Sequence, residues 1–164
     1  MDSRPTVPWL IRPAQPHEAA ALTEIAFAAK RSWGYPEAWI QQWAESLTVT
    51  DTFIREHATF VASMDRVTVG FAALVQGVKT AERSVSRLEH LWVRPEWMGR
   101  GIGRSLFAAG EAVAREAGSD VLTIESDPHA EAFYQRQGAI TVGQIPADIE
   151  GVSRFLAQME KRLR

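Results

Sequence analysis

The stretch Arg94-Pro-Glu-Trp-Met-Gly-Arg-Gly-Ile-Gly-Arg-Ser-Leu-Phe107 sets Gly99, Gly101 and Gly103 at alternate positions ahead of a helix-like apolar pattern. Glycine tolerates positive φ and lets backbone approach a ligand closely. The first turn of a helix carries N–H groups without intrahelical partners and the positive end of the helix dipole. A glycine-rich loop at that point can wrap a phosphate. Arg100 and Arg104 add cationic donors suited to phosphate oxygens. The stretch reads either as a pyrophosphate cradle or as a tight strand-to-helix turn, and spacing alone leaves both open. No Lys-Ser/Thr pair closes the loop as in a P-loop, which argues against nucleotide hydrolysis. The dinucleotide fingerprint fails as well, because the third residue after Gly103 is Leu106.

Other chemistry-bearing residues are sparse. The absence of Cys excludes disulfides, thiolate catalysis and zinc–sulfur sites. The four His carry no carboxylate spacing, so no metal is expected. His17 and His57 read as helix-end residues and His129 as exposed or capping. His90 shares a strand face with Leu88 and Trp92 and reads as a satisfied, half-buried histidine. Trp33, Tyr35, Trp39 and Trp43 cluster around one turn. Trp39 and Trp43 fit helix packing at i, i+4. Trp33 and Tyr35, flanking Gly34, are better placed to line a pocket.

The elements that must position these residues follow from periodicity. With 164 residues the chain reads as one domain over 1–164, with a loose start at 1–8. A short strand at 9–11 precedes an amphipathic helix on which Leu22, Ile25, Ala26, Ala29 and Trp33 recur at helical spacing. A second helix is expected over 36–47 and a short third piece over 52–56. Strands at 59–64 and 67–76 flank Asp65-Arg66 as a hairpin, and 85–93 is the next strand. The glycine loop then opens a long helix ended by Gly118. A strand at 121–126, a helix at 130–137 and strands at 139–145 and 152–161 complete the order. The strand–helix–strand unit through the long helix needs a parallel pair. The expected fold is α/β, a mixed and mostly antiparallel sheet of about seven strands with helices on both faces.

Composition bounds the partners. The chain is 46% hydrophobic and 23% charged with net charge −2, an ordinary globular balance that argues against broad electrostatic binding of nucleic acid. No apolar run approaches the roughly 20 residues of a membrane span. No secretion signal is visible at the N-terminus, so a cytoplasmic setting is expected.

Two motifs together resemble a family. "VRPEWMGRGIGRSL", after a strand and opening a helix, resembles the acyl-CoA-binding motif of the GNAT superfamily of N-acetyltransferases. The family's Gln/Arg-x-x-Gly-x-Gly/Ala core falls on Met98 through Gly103, with Met98 in place of the usual Gln or Arg. "SDPHAEAFYQRQGA" resembles the second motif, Asn-x-x-Ala-x-x-Phe-Tyr followed by Gly-Phe. Asp127 stands where Asn is common and Ala139 where Phe is common. The order of elements matches across nearly the whole chain, which favours the cradle over the bare turn.

The resemblance implies an acetyl-CoA-dependent N-acetyltransferase acting on a primary amine by direct attack in a ternary complex, with acetyl-CoA as cosubstrate and no metal. Its alternative is a non-catalytic acyl-CoA-binding module on the same fold. On this reading the backbone of Leu91, Trp92 and Val93 pairs with the pantetheine arm. The amides of Met98, Gly99, Arg100, Gly101, Ile102, Gly103, Arg104 and Ser105 hold the pyrophosphate. Asp127, Ala130, Phe133 and Tyr134 line the coenzyme where the sheet splays. Tyr134 matches the tyrosine that protonates the departing thiolate. Glu89 matches a strand glutamate serving as base, directly or through a water; alternation sets it on one face with Arg87, Leu91 and Val93. Trp33 and Tyr35 fall over the acceptor site. The expected partner is a small-molecule or peptide amine, with no nucleic acid and no membrane, and a homodimer fits the family's habit.

Overall fold

The computed structural model describes residues 8–164, so the loose start expected at 1–8 lies outside it except for Pro8. Among the described residues seven strands form one sheet: β1 (Leu10–Pro13), β2 (Ala58–Met64), β3 (Val67–Lys79), β4 (Ser84–Val93), β5 (Val121–Ser126), β6 (Ile140–Pro146) and β7 (Phe155–Arg162). Their spatial order is β1-β2-β3-β4-β5-β7-β6. Every pairing is antiparallel except β4 with β5, as the crossover required. Six helices cover it: α1 (Ala19–Arg31), α2 (Glu37–Gln42), α3 (Ala44–Leu47), α4 (Asp51–Glu56), α5 (Ile102–Glu116) and α6 (Glu131–Arg136). No helix among the described residues is long and apolar enough to cross a membrane.

The sheet has a core on each face. Leu22, Ile25 and Ala26 of α1 pack with Ile40, Leu47 and Ile54 against Val61 and Phe71. On the other face Ile102, Leu106 and Phe107 of α5 pack on Phe60, Leu74, Leu88 and Leu122. Leu22, Ile25, Phe71, Ile102 and Leu106 are almost completely removed from water. Burial of each such side chain contributes about 1.5–3 kcal/mol.

Three expectations need correction. The single helix at 36–47 is two, because Trp43 sits near φ −88° and ψ 3° between α2 and α3. Its indole is anchored edge-on to Tyr35, 5.0 Å between ring centroids, which fixes the break. The last strand starts at Phe155, not at 152. The preceding residues close a turn through the Ile149–Val152 bridge, with positive φ at Glu150 and Gly151.

The third correction bears on the site. Ala73 pairs with His90, but Leu74 pairs with Leu88. Glu89 is therefore an extra residue in β4, a β-bulge of the kind that re-aims side chains. The uninterrupted face of Arg87, Glu89, Leu91 and Val93 does not form. Leu88, Leu91 and Val93 lie with the α5-side core, whereas Trp92 lies with the α1-side core. The parallel ladder between β4 and β5 covers Val85–Leu88 against Val121–Ile124 and ends there. Beyond the bulge the two strands part, and β4 keeps hydrogen bonding only to β3.

Candidate active site

The glycine loop leads into α5 at the side of this parting. Gly99 and Gly101 have φ of +76° and +95°, and Gly101 is the N-cap of α5. Side chains resist that conformation, so the path of the loop depends on glycine at both places. Among the described residues no acceptor meets the N–H groups of residues 99–104, the loop tip and the first turn of α5. Trp9 fixes this turn from outside: its Nε1 donates to Ser105 Oγ at 3.0 Å and its ring lies against Gly101. Gly103 answers a different need. A Cβ there would stand 3.3 Å from the Phe133 ring, so glycine lets α6 close against α5.

A cavity of about 470 Å³ runs from the loop to the parting of β4 and β5. It gathers most of the residues expected from sequence: Leu91, Trp92 and Val93 on β4; Met98, Gly99, Gly101, Ile102, Gly103 and Arg104 at the loop; and Asp127, Ala130, Phe133 and Tyr134 opposite. Glu89 and Trp33 line it too. Three expected residues do not. The Arg100 guanidinium lies over Trp97 at 4.4 Å and donates to the Glu96 carbonyl. Ser105 Oγ accepts from the Trp9 indole. Tyr35 lies in a polar knot described below.

Tyr134 is 7% exposed and packs against Phe107 and Phe133. Its hydroxyl has no hydrogen-bond partner among the described residues, yet no buried side-chain oxygen there is left unsatisfied. The hydroxyl therefore opens on the cavity. Burial, reinforced by the charge of Asp127, raises its pKa well above the usual tyrosine range, so it stays protonated at neutral pH. Glu89, on the bulge, is partly exposed and pairs with Arg87 Nε at 2.8 Å.

Asp127 borders the cavity, but its carboxylate is already engaged. It accepts from Lys30 Nζ at 2.8 Å, Arg154 Nη2 at 2.7 Å, Tyr35 OH at 3.0 Å and the His129 backbone N–H at 2.9 Å. The His129 ring, stacked on Trp33 at 5.2 Å, touches both Asp127 and Tyr35. Burial pushes the Asp127 pKa up, and the Lys30 and His129 hydrogen bonds outweigh it, leaving the carboxyl below its ordinary value. Burial lowers that of Lys30, with Asp127 opposing and Arg154 adding to the drop.

A second cavity, about 340 Å³, lies toward α1 and is lined by Lys30, Trp43, Arg87 and Arg154 among others. The two cavities share Leu88, Glu89, Trp92 and Glu125, and so meet at the parting of the strands. Sequence reasoning missed Lys30, Glu125 and Arg154. Lys30 carried a signal: it stands four residues after Ala26, within the apolar stripe of α1. Arg154, in a turn between two strands, carried none.

His90 faces the α1 side, between Phe53 and Phe71, and accepts from Trp92 Nε1 through its Nδ1 at 3.1 Å. It is more deeply buried than expected, and burial lowers its pKa to about 4, against a small opposing pull from Glu89. The unfolded chain takes up this proton near pH 6.5 and the folded chain only near 4. Stability is thus fully present above pH 6.5 and falls as pH drops through that window, by about 3 kcal/mol. Urea unfolding at intervals from pH 7 to 4 should show this slope in the wild type and lose it in His90→Gln.

The model of the acetyltransferase (GNAT) domain matches residues 18–162. Aminoglycoside N(6')-acetyltransferase type 1 of Stenotrophomonas maltophilia is 33% identical over 138 residues, covering 78% of this chain and 84% of that protein. A GCN5-related N-acetyltransferase from Rhodopseudomonas palustris superimposes with a TM-score of 0.72 at 24% identity, covering 93% of this chain and 94% of that one. The PaiA N-acetyltransferase from Thermoplasma acidophilum, in complex with coenzyme A, gives 0.70 at 20% identity, covering 94% and 98%.

Proposed function

The chain belongs to the GNAT acetyltransferase family, and from that premise we propose how its own residues carry the reaction. The activity is transfer of an acetyl group from acetyl-CoA to an amine. The observation that carries the assignment of roles is the single cavity lined by the glycine loop, the open edge of β4 beyond its bulge, Tyr134 and Glu89.

The residues present fit acetyl-CoA. Six backbone N–H groups without acceptors among the described residues, at the N-terminus of a fifteen-residue helix, suit a pyrophosphate. Arg104 supplies a cation beside them. The edge of β4 at Leu91–Val93 that faces away from β3 offers main-chain groups to the amides of a pantetheine arm, as an added strand would. Bound acetyl-CoA supplies the thioester. The acceptor amine enters from the second cavity, so the two substrates meet where β4 and β5 part.

An alkyl ammonium with pKa near 10 must lose a proton before it attacks. Glu89 takes it, directly or through a water. The C–N bond forms at the thioester carbonyl, main-chain N–H groups of the open β4 edge receive the oxyanion, and the C–S bond then breaks. Tyr134 donates its proton to the departing thiolate. Attack is direct: no Cys is available to carry an acyl group, and both substrates reach one point.

Calorimetry tests the loop assignment. Acetyl-CoA should bind at least about a hundredfold more tightly than S-acetyl-pantetheine, which lacks the pyrophosphate and the phosphoadenosine beyond it, because each charge-assisted hydrogen bond contributes about 1.5–3 kcal/mol. Equal affinities would remove the pyrophosphate from the loop.

A further inference from the structure

The charges around the second cavity are separated, and the separation has a side. Lys30 and Arg154 both pair with one oxygen, Asp127 Oδ2. Among the described residues no other carboxylate forms an ion pair with either. Their side chains are 10% and 9% exposed, so one positive charge in excess is held nearly out of water. The Trp43 ring, 4.3 Å from Lys30 Nζ and 4.8 Å from the Arg154 guanidinium, softens that cost without supplying a counter-charge.

Arg154 also has donors to spare. Its Nη2 serves Asp127 and Tyr35 OH. Its Nε and Nη1, with three N–H groups between them, make no hydrogen bond among the described residues. No buried side-chain nitrogen there lacks a partner, so these donors are not sealed from solvent, and Arg154 is one of the residues that line the cavity. Across that cavity stand two carboxylates at the mouth shared with the acetyl-donor cleft. Glu89 is paired with Arg87, whereas Glu125 has no ion-pair partner among the described residues. The cavity is thus anionic where transfer takes place and cationic at the Lys30–Arg154 wall.

We propose that the acceptor is a primary amine that also carries a carboxylate, an amino acid or a compound of that kind. Its ammonium lies between Glu89 and Glu125, and its carboxylate takes the free donors of Arg154 beside Lys30. A polycationic amine, the acceptor named for the Stenotrophomonas relative, would set a further positive charge against a wall that already holds one too many. The proposal rests on the acetyltransferase reading above and narrows it.

Acetyl transfer, read as free thiol released from acetyl-CoA, would be compared for α-, γ- and ε-amino acids, for the carboxamide of each, and for an aminoglycoside. At least one amino acid should exceed its own amide at least tenfold in kcat/KM, and should exceed the aminoglycoside. In Arg154→Gln the gap between acid and amide should close. Arg154→Lys, which keeps the charge over Asp127, guards against a folding defect and should retain part of the gap. Amides that match their acids throughout, or an aminoglycoside that outruns every amino acid, would overturn the carboxylate site while leaving the acetyltransferase reading intact. Absence of both acetyl-CoA binding and thiol release with every amine would overturn that reading itself.

Discussion

Tyr134→Phe should lower kcat by about a hundredfold or more while leaving the fold and acetyl-CoA binding as they are. The substitution removes one oxygen. That oxygen has no hydrogen-bond partner among the described residues, so no protein group is stranded by its loss. The ring keeps its contacts with Phe107 and Phe133. What disappears is the proton given to the departing sulfur. A coenzyme thiolate, conjugate base of a thiol with pKa near 8.5, then leaves unprotonated. A donor whose thiol is far more acidic, such as an aryl thioester, needs that proton less, so the variant should recover much of its deficit with it. A kcat for acetyl-CoA within about threefold of wild type would remove Tyr134 from the acid role.

The largest effect on stability is expected from Asp127→Asn. Asparagine preserves the size and can still accept a hydrogen bond, but it carries no charge. Lys30 and Arg154 then face each other behind Trp43 without a counter-ion. Breaking a buried pair from one side costs about 3–5 kcal/mol. Lys30→Met should behave quite differently. It leaves Asp127 with Arg154, one charge against one, and fills the space with apolar atoms, so its cost should be below about 1 kcal/mol. Urea unfolding of the two single variants and the double variant checks this. The double should be more stable than Asp127→Asn alone, because one stranded cation is gone. Equal losses for the two single variants would contradict the charge count.

Much of this was legible in the sequence, and the gaps have physical causes. The glycine spacing, the alternation of the strands and the long amphipathic helix gave the seven-stranded sheet and the loop at the mouth of α5, because each is written in local periodicity. The bulge at Glu89 was not, since the residue types of β4 do not mark where the alternation breaks, and the extra residue shows only against the partner strand. The break at Trp43 depends on where Tyr35 holds the indole. Asp127 was placed beside the coenzyme by its motif and does border that cavity. Its binding partners, though, stand 97, 92 and 27 residues away at Lys30, Tyr35 and Arg154, and no local pattern encodes such meetings. The second cavity depends on just these long-range contacts, so most residues lining the first cavity could be named early and those at the Lys30–Arg154 wall could not.

The parallel ladder of β4 and β5 spans four residues on each strand, and among the described residues it is the one strand pairing between β1–β4 and β5–β7–β6, with α5 packed across both. Mechanically this is a short seam between two leaves. A pantetheine arm lying in the gap would lengthen the seam with main-chain bonds the polypeptide lacks. The coenzyme would then act as a splint, acetylated or not, and mass action would tie the stability of the folded enzyme to the coenzyme pool rather than to the supply of acetyl groups.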